Sequence, residues 1–159
     1  FIAAKSIFNE FKIWGIRYQS DPNIPYYKDD FVQYATETKE QKAGDCDDLV
    51  VLYASLLESL GINTAFVDVK DPQKEIAHLY LLIDTGLSPE NGNLISSNDK
   101  KYVIRKKASG KSTIWIPVET TIIEKGFDAA WNFGALAYLE EGIIRAGIAD
   151  GWVRIIDVE

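Results

Sequence analysis

Methionine is absent from the 159 residues, and cysteine and histidine occur once each. A lone cysteine excludes an internal disulfide, and one cysteine with one histidine cannot build a Cys/His zinc cluster. With no first methionine, and with a Phe1-Ile2-Ala3-Ala4 start that has no charged-then-apolar leader, the sequence reads as one domain cut from a longer protein whose other domains are expected partners. No apolar run approaches the roughly 18 to 20 residues that a membrane-spanning helix needs. Positive charge is in deficit, 17 Lys and Arg against 24 Asp and Glu for a net −7. Such a surface repels a phosphate backbone, so nucleic acid is not an expected partner.

What is present is a globular balance: 47% apolar, 26% charged and 12% aromatic residues in 17.9 kDa. A chain of this size forms one domain and hides about two-thirds of its unfolded surface. Ala4, Ile7, Phe11 and Trp14 recur at three- and four-residue spacing and predict an amphipathic helix ending near Gly15. Asp21-Pro22-Asn23-Ile24-Pro25 predicts a turn-rich connection, and a short helix is expected over 36–42. Leu49, Val50, Leu52, Tyr53, Leu56, Leu57 and Leu60 form a wide stripe, the mark of a mostly buried helix of about four turns. Asp45 is its expected N-cap, Asp48 the acidic partner of a capping box, and Gly61 the residue beyond its C-terminus.

Downstream the period changes to two. Strands are predicted over 64–69 and 76–84, the second with Ala77, Leu79, Leu81 and Ile83 on one face and Ile76, His78, Tyr80 and Leu82 on the other. Residues 86–99 form a long irregular loop. A hairpin is expected over 102–106 and 113–119, turning at Ala108-Ser109-Gly110-Lys111. Phe127, Trp131, Ala135 and Tyr138 predict a helix over 127–141, and 152–158 is a last strand or the start of a linker. The expected fold class is α+β.

Three residues in this frame carry chemistry. Cys46, one residue after a helix N-cap, sits beside unpaired N–H groups whose partial positive charge stabilises a thiolate, while Asp45, Asp47 and Asp48 oppose that charge. The plain alternative is a small buried thiol. His78 lies mid-strand, either as a base or as a hydrogen-bonded core residue. Glu119 ends a strand, either as an orienting acid or merely solvated. Together they could serve as nucleophile, general base and orienting acid for acyl transfer through a thioester. Trp14, Trp115, Trp131 and Trp152 read as core or edge packing, and Tyr80, on the His78 face, as an aromatic lining the cleft.

Gly44-Asp45-Cys46-Asp47-Asp48, the leucine-rich helix closing in Ser59-Leu60-Gly61-Ile62, His78 in an apolar strand, and Trp115-Ile116-Pro117-Val118-Glu119-Thr120 together resemble the core of the transglutaminase-like superfamily. Trp14-Gly15-Ile16-Arg17-Tyr18 and Val32-Gln33-Tyr34-Ala35-Thr36-Glu37-Thr38 resemble the lead-in of its bacterial and archaeal members. The resemblance covers roughly residues 5 to 140. It implies a papain-like core, with a Cys-bearing helix packed on an antiparallel sheet, and a cysteine protease, amidase or transglutaminase acting on protein or peptide. Cys46 would be the nucleophile, His78 the base and Glu119 the orienting acid. Two departures stand out: the third member is usually Asp, one methylene shorter than Glu119, and Leu79-Tyr80 follow His78 where many members have a small residue and Trp.

Gln33, ahead of the Cys helix, takes the place of the side-chain amide that assists the oxyanion in papain-like enzymes; otherwise it is an exposed loop or strand residue. Asp45 and Asp47 flank Cys46 as acids do in the calcium-binding periplasmic proteinases of this group. Calcium takes six to eight oxygens, so two carboxylates would need carbonyls or water to complete a site. The reaction itself requires no cofactor. Cell-envelope or exported placement is implied by the resemblance alone. The competing class is a binding module in which the same fold recognises a protein or peptide and the triad is unused.

Overall fold

A computed structural model describes residues 1–20, 32–106 and 110–158. The predicted turn-rich connection at Asp21–Pro25, and Ala108 and Ser109 of the predicted hairpin turn, lie outside them. The architecture is α+β, with most of its helices against one face of a curled five-stranded antiparallel sheet.

The first helix, α1 (Ile2–Ile13), buries Ala4, Phe8 and Phe11. Phe8 takes the place expected for Ile7, and Trp14 stays 37% exposed, because the phenylalanines meet Tyr53 edge-on at ring separations of 5.4 and 5.5 Å. Gly15, at φ 76°, turns the chain into β1 (Arg17–Tyr18). This two-residue strand lies parallel to β2 (Ala43–Gly44), a pairing too short to leave a period in the sequence. Between them, α2 (Ala35–Gln41) closes with Lys42 in the left-handed region.

Then comes α3 (Cys46–Glu58), with the Asp45 cap and the reciprocal Asp48 capping box that the sequence predicts. It stops where Gly61, at φ 73°, lets the Gly61 and Ile62 N–H groups return to Glu58 and Leu57 carbonyls.

The sheet runs β5-β6-β4-β3-β7, formed by β3 (Thr64–Asp71), β4 (Ile76–Asp84), β5 (Val103–Lys106), β6 (Ser112–Val118) and β7 (Val153–Asp157). The last segment is thus a strand, paired to β3 from Ala65↔Asp157 to Val69↔Val153. Arg105 on one edge strand and Asp157 on the other are joined by a 2.9 Å ion pair, so the sheet curls until its edges meet.

Curling gives the sheet two unlike faces. Its outer face carries Leu81, Ile83, Ile116 and Val118 against α1, α3 and α4 (Phe127–Ala137). Its inner face carries Val67, Val69, Tyr80, Leu82, Trp115 and Val153 around Tyr138. The predicted helix over 127–141 is therefore two pieces: α4 and a wider π-helical stretch, Tyr138–Ile144, which brings Tyr138 to the inner core. The stripe Phe127, Trp131, Ala135 and Tyr138 is buried as expected. A short helix α5 (Gly147–Asp150) leads into β7.

Candidate active site

Cys46 is the first residue of α3, and a dense cap sets it there. Asp45 accepts the N–H groups of Asp47 and Asp48, and Asp48 accepts the N–H of Asp45. Asp48 also accepts both the backbone N–H of Gln33 at 2.7 Å and its side-chain amide at 2.8 Å. Asp45 and Asp48 are thus turned onto backbone and amide donors, and they are buried to 8% and 1% exposure. Each of the three acids around the thiol thus accepts a backbone N–H, Asp47 from Asp48 at 3.0 Å, which tempers the charge they set against a thiolate.

His78 lies in the first half of β4. The β4–β6 ladder runs only from Leu81↔Val118 to Asp84↔Trp115, so β6 has ended before it reaches His78. The start of α3 brings Cys46 near enough to act electrostatically on His78, whose ring is hydrogen-bonded to Glu119. Extending the register one step places Glu119 opposite Tyr80, which makes His78 and Glu119 diagonal neighbours on the inner face. Such neighbours are roughly 7 to 8 Å apart at the backbone, a gap the longer Glu side chain spans. Its Oε2 lies 2.7 Å from His78 Nε2.

The other carboxylate oxygen of Glu119 accepts from the Thr121 N–H at 3.0 Å and the Thr121 hydroxyl at 2.7 Å, because Glu119 caps the 3-10 turn Thr120–Lys125. The Glu119 N–H in turn donates to the Ala130 carbonyl of α4. With Nε2 engaged by Glu119, the ring nitrogen left for the thiol is Nδ1.

Electrostatics follow from these contacts. Burial favours the neutral imidazole, but the pull of Cys46 and Glu119, the second hydrogen-bonded to the ring, outweighs it and raises His78 from 6.5 to about 10. Burial pushes the Glu119 carboxyl up, yet the hydrogen bond and charge of His78 and the two Thr121 donors hold it below its ordinary value. The His78 side chain keeps 27% exposure against 11% for Glu119, so the ring is open to solvent while the acid behind it is not.

Two expected site residues are placed differently. Gln33 donates from its side-chain amide to the buried Asp48 carboxylate and so braces the start of the Cys helix, where an oxyanion donor is expected. Tyr80 does not line an open cleft. It is fully buried in the inner core, its ring 6.1 Å from the His78 ring, because the curl of the sheet closes over that face.

Donor atoms of Asp45, Cys46 and Asp47 lie within 4.8 Å of one another. Two carboxylates and a thiol fall short of the oxygen cage that calcium takes, and one of those carboxylates is engaged in capping. Sequence reading passes over Thr121, whose only signal is a hydroxyl two residues after the acid. It also passes over the fit of Gly44, where a Cβ would lie 2.6 Å from the Asp48 Cβ.

Among the described residues, no helix is long and apolar enough to cross a membrane. No family model, no curated protein and no solved structure matches the chain.

Proposed function

We propose that the protein is a thiol-dependent acyltransferase acting on amide bonds, with a transglutaminase-like, papain-like core, and that Cys46, His78 and Glu119 are its catalytic triad. One observation carries the reading: an imidazole held by a buried carboxylate at 2.7 Å, with a thiol at a helix N-terminus close enough to act on it.

His78 takes the thiol proton, and the Cys46 sulfur attacks the carbonyl carbon of a peptide or side-chain amide. The oxyanion is met by the Cys46 backbone N–H at the helix start. As the C–N bond breaks, the imidazolium returns its proton to the departing amine or ammonia, leaving a thioester on Cys46. Water or a second amine, deprotonated by His78, then attacks the thioester and releases the thiol. Glu119 holds the tautomer in which Nδ1 faces the sulfur and stabilises the imidazolium. Peptide hydrolysis is favoured over cross-linking by the resemblance to the bacterial proteinases. No step runs through a metal.

The test is alkylation followed by product mass. Cys46 should react with iodoacetamide at about pH 6, where an ordinary thiol is slow, and His78→Ala should slow it at least tenfold. Wild type incubated with a peptide library should then give hydrolysed, deamidated or cross-linked products, which differ in mass, and Cys46→Ala should give none. Slow alkylation that ignores His78→Ala would sink the reading in favour of a binding module.

A further inference from the structure

The acid of the triad has one oxygen more than the imidazole uses. Glu119 Oε2 meets His78, while Oε1 is turned onto a single residue, Thr121, which gives it both its backbone N–H at 3.0 Å and its side-chain hydroxyl at 2.7 Å. A carboxylate oxygen offers two lone-pair sites, and Thr121 fills both. Capping the 3-10 turn Thr120–Lys125 asks only for the N–H. The hydroxyl adds a second bond, from a β-branched side chain whose first torsion is stiff, so the donor arrives with its direction set.

The need for such a hold comes from the length of the acid. Glu119 carries one more rotatable bond than an aspartate would, and its terminal torsion is broad and roughly two-fold. The backbone around it is fixed at both ends. The Glu119 N–H donates to the Ala130 carbonyl at 3.0 Å. Beyond the turn, Lys12 donates to the Glu124 carbonyl at 3.3 Å and the Phe127 N–H to Asn9 at 3.1 Å. What remains free is the rotation of the carboxylate, and among the described residues Thr121 alone is bonded to the oxygen that sets it. Thr120 shows that a threonine in this turn need not do so: it is 1% exposed, and its hydroxyl is enclosed with no hydrogen-bond partner among the described residues.

We infer that Thr121 is a positioning residue of the triad: its N–H and hydroxyl hold Glu119 Oε1 so that Oε2 stays turned on the His78 ring. The inference rests on the acyl-transfer reading for its catalytic meaning, since an imidazole whose Nε2 is held by a carboxylate presents Nδ1 to the thiol. The same two donors keep the shared proton on the imidazole. Burial pushes the Glu119 carboxyl up, and after His78 itself the two Thr121 bonds are what hold it down.

Since the chain has one histidine, isotope-labelled imidazole gives one NMR signal, and its midpoint belongs to His78. The charges acting on the ring are those of Glu119 and Cys46, so with Cys46 untouched the midpoint reports how Glu119 is held. Thr121→Val keeps the shape and the N–H but removes the hydroxyl, and should lower the midpoint by roughly one pH unit. Thr121→Ser, which restores a hydroxyl, should return it near the wild-type value. Thr120→Val should leave it unmoved, because that hydroxyl has no partner to lose. If Thr121→Val does not fold, Thr121→Ala replaces it with the same expected fall. An unmoved or raised midpoint without the hydroxyl, no recovery in Thr121→Ser, or an equal fall in Thr120→Val overturns the inference. The two readings fail separately: alkylation of Cys46 that ignores His78→Ala defeats acyl transfer, and His78-dependent alkylation with an unmoved midpoint in Thr121→Val defeats the role of Thr121 alone.

Discussion

Glu119 shows how much one methylene decides. The sheet places it diagonally from His78, and its length closes the distance to 2.7 Å while its other oxygen holds Thr121. Glu119→Asp should therefore lose the contact despite keeping the charge, and the His78 midpoint, about 10 in the wild type, should fall nearly as far as in Glu119→Gln. Imidazole NMR reads both, and a wild-type midpoint in Glu119→Asp would show that the strand can move to meet the shorter acid. Gly44 is constrained in a different way, by space rather than charge. A Cβ there would stand 2.6 Å from the Asp48 Cβ and 2.9 Å from its carboxylate oxygen. Gly44→Ala should cost about 1–3 kcal/mol in urea unfolding and slow Cys46 alkylation, since Asp48 ties the helix start to Gln33.

The elements that present the triad are held by caps and close approaches. Asp45→Ala removes the side chain that accepts from Asp47 and Asp48, and should cost about 0.5–2 kcal/mol in urea unfolding while fraying the turn that carries Cys46. On the opposite flank, α4 lies so near β6 that a Cβ at Gly134 would meet the Pro117 carbonyl oxygen at 2.6 Å. That atom is backbone and cannot rotate away, so Gly134→Ala must push the helix off the strand. Thermal unfolding should come several degrees lower. Because the Glu119 N–H is bonded to Ala130 of the same helix, the His78 midpoint should shift as well. A change in melting temperature with an unmoved midpoint would show that α4 supports the fold but not the acid.

At the scale of the whole molecule, the curl of the sheet is fastened where its edges meet. Arg105 pairs with Asp157 and stacks over Trp115 at 4.4 Å. Arg105→Ala should therefore speed amide exchange in β7 more than in β3 or β4, a difference read by hydrogen exchange. The His78–Glu119 pair also sets a pH window. With His78 raised from 6.5 to about 10, its contribution to stability is complete below 6.5 and is lost as pH climbs through 10. Glu119, held below its ordinary 4.5, contributes above that value and loses its share as pH falls below it. Urea unfolding should thus show wild type losing more stability than His78→Phe between about pH 6 and pH 10. Equal losses would mean that the pair is no stronger in the folded state than apart.

The parts of this protein that depend on neighbours along the chain are legible in its sequence. Asp45, the leucine-rich stripe and Gly61 specify where α3 starts, what it buries and where it stops, because capping and helical period act over a few residues. The alternation in β4 likewise specifies that His78 and Tyr80 share a face. Scarcity of thiol and imidazole leaves one way to pair them. Tertiary structure alone decides the rest. Pairing of β1 with β2, the edge closure by Arg105 and Asp157, and the turning inward of Tyr138 all join residues far apart in the chain or depend on a local break in helical period. For the same reason Tyr80 is buried rather than open to a cleft, and Gln33 braces Asp48: which face of a sheet curls inward, and which acid reaches an amide first, are settled by packing between elements and leave no periodic trace.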